Sequence, residues 1–253
     1  MKTSIAIAAL IVAASGAGAS VVELRVTAEN LSPANSISFA PLRVGFHDGT
    51  FDTFNVGQTA TAPIISIAEG GSGSDWFPFF ASQQPNGTSG TVVNGGPILP
   101  GASASVTFNI DSSVNKFFSF ASMVVPSNDY FIGNDGPASI RLFDDNGMFV
   151  GQTINQFARD IWDAGSELDS VANAAFIVGS NNNARIEENG VVGFDFEGLS
   201  LFNGLTTAAG YTFDLQLEAN SPVFRISFEV VPAPSAMAVL GLGGLAMARR
   251  RRG

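Results

Sequence analysis

The segment RDIWDAGSELDS, residues 159–170, places Asp160, Asp163, Glu167 and Asp169 within one short stretch of a chain that is only 13% charged. Carboxylates at that density can form a solvated turn, an acid/base pair or oxygen ligands for a hard cation. Calcium suits the third role, because it takes about six to eight oxygens from carboxylates, carbonyls and water. The D-x-[DN]-x-[DN]-G spacing of a single-loop calcium site is absent, so ligands would have to converge from separate segments. Asp163, Glu167 and Asp169 share one loop, and Gly165 permits a tight turn there that exposes backbone carbonyls. A further acid must come from elsewhere; without one, a solvated turn is the default.

Other chemistries have less to work with. His47, in GFHDGTFDTF, is the only histidine, and cysteine is absent. Thiolate metal sites, cysteine catalysis and histidine-built zinc sites are therefore excluded. Any Ser-His-Asp arrangement would have to use His47, which sits beside the turn-like Asp48-Gly49 and reads as a turn or surface residue. No pair of acids stands out as a hydrolase pair. The expectation is a protein that is not an enzyme.

The two ends differ from the body. MKTSIAIAALIVAASGAGAS has Lys2, an apolar run and the small-residue site Ala17-Gly18-Ala19, so residues 1–19 read as a signal peptide. Residues 232–253 hold Pro232-Ala233-Pro234, an apolar run from Ala236 to Ala248 and Arg249 to Arg252. That run is short of the roughly 20 residues of a stable spanning helix. The layout resembles the bacterial PEP-CTERM sorting tail, with Ala233 in place of its Glu. The resemblance implies a processing protease as a partner and transient membrane association through the tail. Five basic and no acidic residues lie in the two ends, so the body carries −15 rather than the whole-chain −10. Such a field repels nucleic acid and favours cations.

Residues 20–231 alternate with period two. VELRVTAEN, SVTFNID, YTFDLQLE and FRISFEV each put apolar residues on one face and polar residues on the other, as half-buried antiparallel strands do. Asp144-Asp145-Asn146-Gly147 reads as a hairpin turn. Only Thr61 to Glu69 reads as a short helix, ending at Gly70-Gly71. The polar run Ser180 to Asn183 reads as an exposed loop. The pattern implies one all-β domain, an antiparallel β-sandwich with long loops.

A second segment, FFSFASMVVPSNDYFIGNDG (residues 117–136), gives the acidic loop a context. Ser122 to Phe131 forms a strand ending in Met and Pro, then Ser, a turn with Asp129 and an aromatic. Asp163-Ala164-Gly165-Ser166-Glu167 follows later in the chain. With NLSPANSISFAPLRVGFHDGTFDTFNVGQTAT before them and Gly96 to Gly101 between, these motifs resemble the spondin N-terminal domain from about Val22 to Phe176. The resemblance implies a sandwich similar to calcium-dependent lipid-binding domains, with a calcium site of loop carboxylates at one end. By motif position the ligands would be Asp129, Asp163 and Glu167 or Asp169, with Ca2+ as the cofactor. The cysteines of animal members are absent here.

The reading is an exported calcium-binding domain with an adhesive role in the extracellular space or envelope of a bacterium. Its partner would be an extracellular protein or polysaccharide. The alternative is a carbohydrate-binding module of an exopolysaccharide layer, with Trp76 and Trp162 stacking on sugars.

Overall fold

A computed structural model describes residues 21–232; the stretch read as a signal peptide and the part beyond residue 232 read as a sorting tail lie outside the described residues. The strands, in chain order, are β1 (Val21–Asn30), β2 (Ser38–Phe39), β3 (Leu42–His47), β4 (Thr88–Val92), β5 (Ser103–Asp111) and β6 (Phe117–Val125). They continue as β7 (Tyr130–Gly133), β8 (Ile154–Phe157), β9 (Trp162–Asp163), β10 (Gly193–Phe194) and β11 (Pro222–Val230). Two helices, α1 (Ala62–Gly70) and α2 (Trp76–Gln83), lie between β3 and β4. One sheet has the order β5-β1-β11-β8 and the other β10-β9-β7-β6-β3-β4, with β2 attached to β6. Every strand pair is antiparallel. The fold is an all-β sandwich.

The first sheet follows from alternation. Leu24, Val26 and Ala28 of β1 are fully buried, opposite Val230, Phe228 and Ile226 of β11 and Phe108, Val106 and Ala104 of β5. The intervening Glu23, Arg25, Thr27 and Glu29 face the other way. The central strand of the second sheet, β6, reads FFSFASMVV and is buried on both faces, so alternation is replaced by a continuous apolar run. Phe118, Phe120 and Val124 enter the core between the sheets. Ala121 enters a second cluster with Phe51, Phe54, Ile64, Trp76 and Phe80, where the helical segment covers the sheet's outer face.

The α1 helix matches expectation and ends at Gly71 in the left-handed region, φ +60°, a conformation glycine adopts without a Cβ penalty. The second helix, α2, departs from it. Its sequence WFPFFASQ buries Trp76 and Phe80, one helical turn apart on one face, inside a phenylalanine run that masks the period. The Asp144 to Gly147 turn forms, with Asp144 N–H donating to Met148 O at 2.9 Å and Gly147 at φ +74°. YTFDLQLE is not a strand. Phe213 and Leu215 are buried, but Phe213 N–H donates to Leu205 O, Asp214 N–H to Asn35 O and Leu215 N–H to the Asn203 side chain. Loops supply the partners that a neighbouring strand would otherwise provide.

Candidate functional site

Strand pairing assembles the acidic end. The turn after β6 carries Asp129, and β7 pairs with β9 so that Tyr130 lies opposite Asp163 and Phe131 opposite Trp162. Ala164 N–H donates to Asp129 O at 3.2 Å. The loop after β9 then runs against the segment before β10: Gly190 N–H donates to Gly165 O at 2.9 Å, Glu188 N–H to Ser166 O at 3.0 Å and Leu168 N–H to Ile186 O at 2.9 Å. The carbonyls of Gly165 and Ser166 thus each accept from one neighbouring N–H group, which leaves a second lone pair on each. Gly165 itself is obligatory in this geometry. It sits at φ +62°, and a Cβ there would lie 2.7 Å from the Val191 nitrogen.

Asp129 is 1% exposed. Its Oδ2 accepts from Ser166 N–H at 2.7 Å, Glu167 N–H at 3.0 Å and the Ser166 hydroxyl at 3.1 Å. Its Oδ1 is sealed from solvent and accepts no hydrogen bond. Burial first, and the Asp163 charge second, push its carboxyl up to about 7 against those bonds. Asp163 is pushed up to about 6, by burial and then by the charges of Asp169, Glu188 and Asp195, while Gly165 N–H opposes the shift by donating to its Oδ1 at 2.6 Å. Asp169 is raised by burial and by Asp195 and Glu188. The Tyr130 hydroxyl lies 2.9 Å from Asp169 Oδ2 and 3.1 Å from Asp195 Oδ2. A phenol has one proton to donate, so it can serve only one of them at a time. Burial, then the charges of Asp169, Asp195 and Asp163, raise that phenol too.

Glu167 occupies a different neighbourhood. Its Oε1 accepts from the Asn128 and Asn173 amides, and its Oε2 is 3.8 Å from Arg185 Nε. Burial leads the raising of its carboxyl. The structure therefore sets Asp163 within reach of the charges of Asp129 and of Asp169, and gives the Glu167 side chain other partners. It adds Asp195 and Glu188, both missed in the sequence. Both lie between Asn173 and Gly204, where the sequence shows no clear pattern, and neither carries a signal of its own. The cluster is crowded: a Cβ on Gly198 would overlap the Tyr130 hydroxyl and lie 3.0 and 3.1 Å from the Asp195 and Asp169 carboxylates. Asp160 is elsewhere, accepting from Phe157 N–H at 2.9 Å.

The donor set, hard oxygens with one orphaned carboxylate oxygen and several like charges, suits a hard cation. As placed, no three Asp, Glu or His groups among the described residues are close enough to hold a metal ion.

The remaining candidates are structural. His47 is fully buried rather than on the surface. Gly49 N–H donates to its Nδ1 at 3.1 Å, and its Nε2 lies 3.0 Å from the Ser119 hydroxyl. Burial lowers its pKa to about 4 against the Asp48 charge, so it is a neutral core imidazole. Trp76 is fully buried and Trp162 is 6% exposed. Phe194 stacks on Trp162 with centroids 3.6 Å apart, and Phe54 meets it edge-on. Neither indole has a free face to offer a sugar, because both fill the layer beneath the helices.

Sheet order, buried loop turns and an acidic end together define a β-sandwich with a carboxylate-lined tip. A family model for the Spondin_N domain matches residues 30–185, and the chain belongs to that family, a non-enzymatic kind of domain associated with extracellular adhesion and matrix. No curated protein matches the chain. No helix among the described residues is long and apolar enough to cross a membrane.

Proposed function

We propose that the protein is an exported, calcium-binding adhesive module of the extracellular matrix or cell envelope, its acidic tip held by Asp129, Asp163 and Asp169 with Asp195 and Glu188 beside them. The signal-like N-terminus and the sorting-like tail support export. The observation that carries the calcium reading is Asp129: a buried carboxylate with one oxygen saturated and the other orphaned, beside a second raised carboxylate. An unsatisfied buried acceptor costs on the order of 1–3 kcal/mol, and like charges add to that. Bound calcium would supply the missing positive charge and hard-acid coordination. The residues of the chain do the rest. Ser166 and Glu167 N–H groups fix Asp129, Gly165 holds Asp163, and Tyr130 orients Asp169 or Asp195. The tip is thereby preorganised as a docking surface, whose partner is an extracellular protein or polysaccharide.

Thermal unfolding in calcium and in chelator tests this reading. The wild type should be stabilised by calcium and not by magnesium at equal concentration, with the gain absent in Asp163→Asn. An equal gain in Asp163→Asn would overturn the assignment.

A further inference from the structure

Beside the acidic tip, between the C-terminal half of α1 and the 165–166 turn, lies an open cavity of about 500 Å³. Ala60, Ile65, Glu69, Arg185, Glu187 and Glu188 are among its lining residues. Its volume is within the range of small-ligand pockets.

The charges do not balance. Arg185 is the cation in the wall, and its donors are already committed: Nη1 to Glu69 Oε2 at 2.6 Å, Nη2 to Glu69 O at 3.3 Å and Nε to Asn182 O at 3.2 Å. Behind it stands Glu167, whose side chain is fully buried and whose Oε2, turned toward Arg185 at 3.8 Å, accepts no hydrogen bond. Two buried carboxylates thus share one guanidinium. At the rim, Glu187 and Glu188 are exposed, and neither carboxylate has a hydrogen-bonding or ion-pair partner among the described residues. Three carboxylates of the lining, Glu69, Glu187 and Glu188, stand against one guanidinium that is already used.

No three of these carboxylates are close enough to hold a metal ion. An occupant with dispersed donors fits better. A primary ammonium carries three donors in different directions, whereas a guanidinium presents a planar fork suited to one carboxylate. The apolar side chains of Ile65 and Ala60 provide a lining for an aliphatic stem. We propose that this cavity binds a primary ammonium on an aliphatic stem, as borne by a lysine side chain of an extracellular partner or by a free alkyl amine. The cavity adjoins the proposed calcium cluster and shares Glu188 with it, whose charge acts on Asp163.

The test is calorimetric titration of the full chain in chelator with three probes: a blocked Gly-Lys-Gly peptide, the same peptide with acetylated lysine, and 1,5-diaminopentane. The lysine peptide should bind about tenfold or more tightly than its acetylated form. The double variant Glu187→Gln/Glu188→Gln should lose about tenfold or more in affinity with its melting temperature kept. Asp163→Asn should bind the peptide as the wild type does. Binding of both amines supports a lysine-bearing partner, and binding of the diamine alone supports a free amine as the source. The proposal is overturned if neither amine binds, if the lysine peptide binds and acetylation makes no difference, or if the double variant binds unchanged. Loss of binding in Asp163→Asn alone would also overturn it, by moving the amine to the acidic tip. Because chelator is present throughout, these outcomes are independent of whether calcium binds.

Discussion

Replacing Asp129 with Asn should stabilise the calcium-free protein. The amide oxygen keeps the place of Oδ2, accepting from Ser166 N–H, Glu167 N–H and the Ser166 hydroxyl. The amide nitrogen takes the place of the orphaned Oδ1 and brings two donors to a site where Asp163 is the nearest charge influence. Burial and Asp163 push the native carboxyl up to about 7, so keeping it ionised at about pH 8 costs the fold up to about 4 kcal/mol. That value already includes the hydrogen bonds that favour the charged form, but the amide nitrogen brings buried donors, and leaving one unmet costs about 1–3 kcal/mol. A net gain of about 1–3 kcal/mol remains, or roughly 2–10 °C in melting temperature for a domain of this size. For an acid raised in the folded state, stability is full below its unfolded pKa and is lost as pH rises through the folded value. The advantage of the variant should therefore fade between pH 7 and about 4. Urea melts of both proteins in chelator at several pH values measure this. A variant less stable than the wild type at about pH 8 would refute the reasoning and make Asp129 an ordinary structural acceptor.

His47 gives a slope of the opposite sign. Its pKa is lowered to about 4 in the fold, so its contribution is complete above the unfolded value of about 6.5 and is lost on acidification toward 4, up to about 3 kcal/mol; His47→Gln should remove that slope from pH-dependent urea midpoints. Gly165→Ala should cost about 2 kcal/mol or more, through positive φ and the backbone contact with Val191, and it should weaken any calcium stabilisation in the same melts. Trp162→Ala should destabilise the fold by about 3–5 kcal/mol, read as a lower urea midpoint, where a sugar-stacking residue would leave stability intact and lose glycan binding.

Legibility in the sequence tracked burial. β1, β5 and β11 have one wet face, so alternation displays them directly. β6 has two dry faces, and FFSFASMVV shows only that it is buried. The covering layer was half visible: α1 carries an Ile64–Ile67–Ala68 stripe, whereas α2 lies in a phenylalanine run whose spacing is unreadable without knowing what it covers. Tyr211 to Glu218 shows the reverse error, since alternation reports alternate burial and not the presence of a neighbouring strand. At the tip, Asp129 and Asp163 were found through motifs. Their neighbours Asp195 and Glu188 come close only through the β9–β10 pairing and the 165–190 contact, which no local pattern announces. The different surroundings of Glu167 and Asp169 were likewise illegible, because two residues of separation send one side chain to Arg185 and the other to Tyr130.

The most direct test of the central claim is a calorimetric calcium titration of the chelator-stripped protein alongside Asp129→Asn and Asp163→Asn. Saturable binding by the wild type, lost in both variants while their folds persist, is the predicted result. No heat from the wild type, or binding unchanged in both variants, would contradict a calcium site at this tip.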